Sequence, residues 1–514
     1  MKAQCTGTDR ICTGAVVGNL YWSARPPQRR LDIMDGAEDL LYERVASHVE
    51  SLIAAGALRS GDRLPSVRRF AREREVSIAT VLAAYRSLEE RALIETRPKS
   101  GHFVCPPARR PAPTRPQRVP ALAPTRVTVS DVVASLMRAM SDPGVVPLGA
   151  AQLATDLYPI RTLNRLLGGI LRDMSTAGAS YEPPPGLVTL RRQLARRSLT
   201  WDMSATEDDF IITSGAMEAM SLALRATVKA GDSVAVSTPT YFGILQLLEE
   251  LGVRVVEIPS HAEHGMDLLA LELALKQLDI KAVVAIPTFD NPNGSLMPYE
   301  SRVRLAALIE RFEVPLIEDD IYGDLAWDHT RPSPVKAHDR SGNILLCGSF
   351  SKTLAAGYRV GWVMAGKFSE RVARLKFSQN FATSTLEQLA VAEYLSLGGY
   401  DRHLRRLRTQ LNQQVRTFRE EIAASFPAGT AVSDPRGGFL LWVTLPREVD
   451  AMQLQAAAAK RGIIIAPGPV FAAGQRYKHH LRLNCGFPWS DRIAGAVRTV
   501  GELATQLADD NRRR

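Results

Sequence analysis

Ser349-Phe350-Ser351-Lys352-Thr353-Leu354, followed by Arg359, sets one amine between hydroxyls and a cation. Upstream, Ile317-Glu318-Asp319-Asp320-Ile321-Tyr322 ends an apolar run in carboxylates and a phenol, and Asp290-Asn291-Pro292-Asn293-Gly294 lies before that. A lone SxSK means little, but this ordered set answers to one chemistry, that of a pyridoxal 5'-phosphate (PLP) site. Lys352 is the amine that forms a Schiff base with the aldehyde. Asp319 is the carboxylate that keeps the pyridine nitrogen protonated, so that the ring accepts electrons; Asp320, one residue on, is the alternative. Asn291 and Tyr322 are donors to the phenolic oxygen. The phosphate calls for a cation, hydroxyls and a helix N-terminus, supplied by Arg359, Ser349 and Ser214-Gly215-Ala216 at the head of MEAMSLALRA. Tyr241, in Thr238-Pro239-Thr240-Tyr241, offers a ring to cover the pyridine, although plain packing would use it equally.

These residues sit where strands end. From about Ser130 onward the apolar runs SVAVSTP, VRVVEIP, AVVAIPT, VPLIEDD and ILLCGSF alternate with helical stretches, and each run is followed by polar residues. Short buried strands alternating with helices predict an α/β fold with a parallel sheet covered on both faces. Ligands in such sheets bind beyond the carboxyl ends of the strands.

The N-terminal part is patterned differently. Leu41, Val45, Val49, Ile53 and Leu58 make a helical stripe, and Leu64-Pro65-Ser66 begins a second helix. Ser77 is a candidate N-cap for a third helix over 78–90. Two strands, at 93–96 and 102–104, flank a turn at Pro98-Lys99-Ser100-Gly101. Helix-turn-helix plus hairpin is a winged helix. The expected organisation is an unstructured extension at 1–37, with Met34 as a possible start, then a winged helix at 38–104. A Pro/Arg-rich linker follows at 105–130, and an α/β domain at 131–508. Seven prolines between Cys105 and Arg126 rule out a helix there and favour an extended spacer.

A formal charge of +10 on 514 residues favours anionic partners, nucleic acid first, although the charges of residues 38–104 nearly cancel. The five cysteines form no CxxC pair, which predicts reduced thiols in a cytoplasm, and the histidines show no metal-ligand spacing. No run of apolar residues reaches membrane-spanning length, so a cytoplasmic protein without a membrane partner is expected.

The segment from LLYERVASHVESLI to RPKSGHFV resembles GntR-type winged helices, carrying GDRLPS, TV-AYRSLE and RP-SG-FV in order. The resemblance implies that Arg63, Ser66 and Arg68 contact double-stranded DNA. Ser77 and Thr80 would lie on the recognition helix, and Lys99, Gly101 and His102 on the wing. Many relatives carry arginine where this chain has Ile78 and Leu82, so readout of guanine by that helix is reduced here. Residues 145–505 resemble fold-type I aminotransferases near the aminoadipate and aromatic enzymes, which implies a large α/β domain and a small α+β domain. By that resemblance Tyr181, in YEPPPGL, reaches the phosphate held by a neighbouring subunit, and Arg482, in LRLNCGFP, grips a substrate α-carboxylate. The whole arrangement resembles MocR-type regulators. In that family the large domain binds PLP and senses PLP or an amino compound, and the homodimer is head-to-tail. A working aminotransferase with an accessory head is the alternative, since every catalytic group is present.

Overall fold

The computed structural model describes residues 41–90, 93–97, 100–105, 122–129, 133–134, 136, 138, 142, 144–174, 176–328, 330–474 and 476–513. The expected extension, Met34, Lys99, Cys5, Cys12 and most of the expected linker lie outside these residues. The chain divides into two compact units, Met1–Pro106 and Pro107–Arg514.

In the first unit, helices α1 (Leu41–Ala54), α2 (Val67–Glu73) and α3 (Ile78–Glu90) precede strands β1 (Ile94–Arg97) and β2 (Gly101–Val104). Val45, Val49, Phe70, Val81, Tyr85 and Leu88 form its core. Helix α2 starts later than the sequence suggests. Ser66 is its cap, its Oγ accepting from Arg69 N at 3.3 Å, so Pro65 precedes the helix. Such a cap is worth about 1 kcal/mol. Ser77 caps α3 likewise, accepting from Thr80 N at 3.0 Å. The β1–β2 hairpin is antiparallel, and Leu64 N donates to the His102 carbonyl, which adds the 61–64 segment as a third edge.

The second unit holds two sheets. Its eight-stranded sheet runs in the order β3 (Ile211–Thr213), β10 (Gly361–Met364), β9 (Ile344–Ser349), β8 (Leu316–Asp319), β7 (Ile280–Ala285), β4 (Ser233–Thr238), β5 (Arg254–His261), β6 (Gly265–Met266). Strands β9, β8, β7, β4 and β5 are parallel neighbours, as their apolar runs predict. Strand β10 is antiparallel to both β9 and β3, so the sheet is mixed and not wholly parallel. The connection from β9 to β10 spans only residues 350–360, too short for the crossover that parallel neighbours need.

The smaller sheet is antiparallel, in the order β11 (Ala431–Val432), β12 (Leu440–Thr444), β14 (His480–Asn484), β13 (Ala466–Pro467). The helices Gly399–Ser425 and Asp491–Arg513 pack on it through Val415, Phe418, Ile422, Val497 and Val500. Residues 146–149 join its edge: Gly149 N donates to the Ile464 carbonyl at 2.7 Å. A Cβ on Gly149 would lie 2.6 Å from the Ile465 backbone, so no larger residue fits that approach. Among the described residues no helix is long and apolar enough to cross a membrane, and no cluster of His, Cys, Asp or Glu could hold a metal ion.

Candidate functional site

Strand β8 is fully buried and ends at Asp319; β9 ends at Ser349, just before Lys352. Their parallel register pairs Asp319 with Cys347, so both loops open at the same edge of the sheet. Lys352 Nζ donates to the Ala151 carbonyl at 2.5 Å. Burial, with Arg482 and Arg359 nearby, lowers its pKa to about 8, and Asp319 works in the other direction. The amine therefore loses its proton far more readily than a surface lysine does.

Asp319 and Asp320 are separated clearly by their partners. Asp320 is paired with the buried Arg331. Asp319 has no such ion pair and instead feels the charge of Lys352; its Oδ1, like Asp320 Oδ1, has no hydrogen-bond partner. Burial and the neighbouring Asp320 raise its pKa to about 7. An unpartnered buried carboxylate oxygen invites a cationic N–H donor.

Asn291 and Tyr322 come together behind this pair, Asn291 Nδ2 donating to Tyr322 Oη at 3.4 Å. Burial raises the Tyr322 pKa, so the phenol stays protonated. Tyr241 lies close enough to Asp319, Arg359 and Arg482 to feel their charges.

A cradle for an anion forms where two loops meet. Gly215 precedes the helix Ala216–Thr227 with φ +83°, and a Cβ there would lie 2.3 Å from the Arg359 guanidinium. Arg359 Nη2 donates to the Ser214 carbonyl at 3.0 Å, and Nη1 to Ser351 Oγ at 3.1 Å. Arg359 itself has φ +52°, a left-handed backbone that costs a non-glycine residue roughly 1 kcal/mol or more. Ser349 is buried beside it, its Oγ accepting from Ser351 N at 3.4 Å.

Arg482 is fully buried on β14. Its Nη1 donates to Asn291 Oδ1 at 2.7 Å and its Nη2 to the Gly149 carbonyl at 2.5 Å, while Nε has no partner. The guanidinium lies 4.9 Å from the Phe471 ring centre and 5.6 Å from that of Phe242. Burial lowers its pKa to about 10. Tyr181 is not gathered with this group. It is 76% exposed and packs edge-on against Phe381 at 4.9 Å.

Several contributors carried no signal in the sequence. Gly149 and Ala151 act through backbone carbonyls, Phe471 through stacking, and Ser351 by holding Arg359. Glu218, in the first turn of Ala216–Thr227, accepts from Ser214 N and is held by buried Lys376 at 3.1 Å.

The residues fit PLP on these grounds: an amine poised to lose its proton, an orphaned carboxylate oxygen, and a glycine-dependent anion cradle. Lys352 would hold the aldehyde carbon and Asp319 the ring nitrogen, while Ser214–Ala216, Ser349 and Arg359 would hold the phosphate.

In the first unit, Arg63 and Arg68 are exposed, as are Ile78 and Leu82, each 50% accessible on α3. Ser77 Oγ and Thr80 Oγ1 lie 2.8 Å apart at the start of that helix. Ser66 and Ser77 therefore spend a hydroxyl lone pair on capping. The Arg63 side chain crosses Gly101, and His102 is bound to Thr96 Oγ1 at 3.0 Å with its ring against Tyr85.

The second unit thus has the fold and donor set of a PLP-dependent aminotransferase, and the first is a winged helix. Residues 143–489 match the aminotransferase class I and II family, and residues 41–104 match the bacterial regulatory proteins of the gntR family. The chain belongs to the aminotransferase class I and II family and, with its gntR head, to the MocR-type regulators within it. It is 37% identical over 461 residues to the uncharacterized HTH-type transcriptional regulator YjiR of Escherichia coli, covering 90% of this chain and 98% of that one. YdcR of the same organism, also named an uncharacterized HTH-type regulator, is 36% identical, with 90% and 98% covered. Among solved structures, the Pyrococcus horikoshii kynurenine aminotransferase superposes with a TM-score of 0.68 at 28% identity, covering 73% of this chain and 94% of its own.

Proposed function

We propose that the chain is a DNA-binding transcription regulator whose aminotransferase-like domain binds PLP and senses an amino compound, most simply one bearing an α-carboxylate. The observation that carries this reading is the presence, in one chain, of a winged-helix head and a complete PLP donor set with a buried arginine beside it. PLP supplies an aldehyde that condenses with amines and a ring that accepts electrons. Lys352 would hold the aldehyde carbon, and Arg482, held by Asn291 and the Gly149 carbonyl, would present its remaining N–H groups to the ligand carboxylate. Any ligand that binds one arrangement of the chain better than another shifts that equilibrium, and this differential affinity is its whole contribution to control.

Arg63, Ser66 and Arg68 contact phosphates and bases of double-stranded DNA, with Ser77 and Thr80 on the recognition helix and Gly101 and His102 on the wing. Ile78 and Leu82 favour thymine methyl groups over guanine. The chain works as a head-to-tail homodimer. Supporting this, Tyr181, Phe377 and Phe381 form an exposed aromatic cluster with ring centres 4.9 and 4.7 Å apart, more than a solvent-facing surface needs. The domains run as 38–104, a linker at 105–130 and 131–508, after an extension at 1–37, and the protein is cytoplasmic.

The test is operator binding by full-length protein, without additions, with PLP, and with PLP plus a panel of amines and amino acids. A ligand-dependent change of about 5- to 150-fold supports sensing. The retained Lys352–Asp319 pair also favours a second reading, turnover. Keto-acid release at enzyme-like rates with no effect of any ligand on DNA binding replaces the regulator reading with that of an aminotransferase.

A further inference from the structure

Two loops deliver Lys352 and Asp319, and a buried polar chain joins the residues that follow them. Thr353 comes directly after Lys352. Its carbonyl accepts from His403 Nε2 at 2.6 Å, and its hydroxyl lies 2.9 Å from Tyr400 Oη. Tyr400 Oη donates to Asp324 Oδ2 at 2.9 Å. A phenol has one proton, so the Thr353 hydroxyl donates to the phenolic oxygen. Asp324 Oδ1 accepts from Arg331 Nε at 2.9 Å, and the same guanidinium is bound through Nη2 to Asp320, the residue after Asp319. The route therefore closes from Lys352 to Asp319 through Thr353, Tyr400, Asp324, Arg331 and Asp320.

The side chains of Thr353, Tyr400, Asp324, Arg331 and Asp320 are each at least seven-eighths buried. Arg197 lies 4.2 Å over the Tyr400 ring and 3.5 Å from Asp324, and Arg408 Nε donates to the Asp324 carbonyl at 2.8 Å. Charges buried this deeply gain little stability over apolar packing, whereas a densely bonded network admits few arrangements. Its effect is therefore geometric. Tyr400, His403 and Arg408 occupy the first turns of Gly399–Ser425, and Val415, Phe418 and Ile422, further along that helix, share a core with Leu481 and Leu483 of β14. Strand β14 carries Arg482.

We propose that Asp324 and Tyr400 are positioning residues that fix the Lys352 amine and the Asp319 carboxylate relative to each other, through a helix that also packs against the strand bearing Arg482. This rests on the PLP reading of the site, and the experiment separates the two.

Asp324→Asn leaves Arg331 and Arg197 short of a counter-charge and can unfold the loop, so Tyr400→Phe and Thr353→Val carry the test. The first keeps the ring under Arg197, and neither alters Asp319, Arg359 or Arg482, the charges that face Lys352. In full-length protein, PLP affinity and the pH midpoint of the lysine-dependent visible band are measured for each variant and for the double. We expect each single variant to raise the PLP dissociation constant by about tenfold and to shift the midpoint, since small misplacements near a reacting group are costly. The double variant should match Tyr400→Phe, because the bond that Thr353→Val cuts is already removed there. A lower melting temperature with affinity and midpoint within about twofold of the parent overturns the proposal, as do additive effects in the double. A band that persists in Lys352→Ala removes the PLP assignment beneath it, a result the other measurements do not produce.

Discussion

Arg482 Nη1 donates to Asn291 Oδ1 at 2.7 Å, between residues 191 positions apart in the chain. The arginine assigned to a ligand carboxylate is thus bonded to the amide assigned to the phenolic oxygen of PLP. Its Nε remains without a partner, so the fork is held in place without being saturated. Pre-orientation of this kind reduces what a bound carboxylate must spend on ordering.

Replacing Arg482 by Lys should therefore erase discrimination between an amino acid and its decarboxylated amine. A lysine keeps the charge but lacks the planar fork. Hydrogen bonds to charged groups contribute roughly 1.5–3 kcal/mol, so the preference should fall by about tenfold or more. Competition titrations of PLP-loaded protein with the two ligands measure this. An unchanged preference places the carboxylate elsewhere.

Lys352→Ala should abolish the visible band formed on adding PLP and the adduct fixed by borohydride. No other described lysine is flanked by Asp319, Arg359 and the Ser214–Ala216 turn. Full-stoichiometry labelling of the variant, read by mass spectrometry, would transfer the assignment to another amine.

The pH dependence of PLP capture follows from the lowered lysine pKa. Only the neutral amine attacks an aldehyde, and burial beside Arg482 and Arg359 brings Lys352 to about 8 from the ordinary 10.5. The capture rate should rise with pH, level off above about 8, and fall roughly tenfold for each unit below it. The same shift has a stability sign. Because the folded value lies below the unfolded one, Lys352 destabilises the unliganded fold at neutral pH, and this cost fades as pH rises from about 8 toward 10.5. Stopped-flow absorbance across this range tests the first statement, and a midpoint near 10.5 contradicts it.

Arg68→Ala should weaken operator binding while PLP uptake, which depends on the other compact unit, serves as the control. A phosphate contact contributes about one unit to the slope of log affinity against log salt. Gel shifts at several salt concentrations read the slope. Unaltered affinity and slope would remove Arg68 from the DNA-contacting set.

Much of this architecture was legible in the chain. The runs SVAVSTP, AVVAIPT, VPLIEDD and ILLCGSF are strands because continuous apolar residues of that length suit a sheet buried on both faces. The direction of β10 was not legible from its own residues, since GWVM pairs equally well either way; the shortness of the 350–360 loop decides it. Cap geometry was half legible. Ser77 reads as an N-cap, whereas Leu64-Pro65-Ser66 reads as the helix start itself; in the structure Ser66 is the cap, and Tyr85 Oη donates to the Pro65 carbonyl outside the helix.

The amino-acid sequence determined which reactive groups exist and in what order, because Lys352, Asp319, Asn291 and Arg359 each follow a local pattern that strand ends and helix starts impose. Tertiary structure alone decided how they are paired. Asp319 and Asp320 are identical in type and adjacent, and only the arrival of Arg331 at Asp320 leaves Asp319 free to face Lys352. The carbonyls of Gly149 and Ala151, the rings of Phe242 and Phe471, and the Thr353–Tyr400–Asp324 link come from segments far apart in the chain. Backbone carbonyls and packed rings carry no residue-type signature. What they do depends on which strand or helix folds beside them, and that is settled only when the two sheets close on a common core.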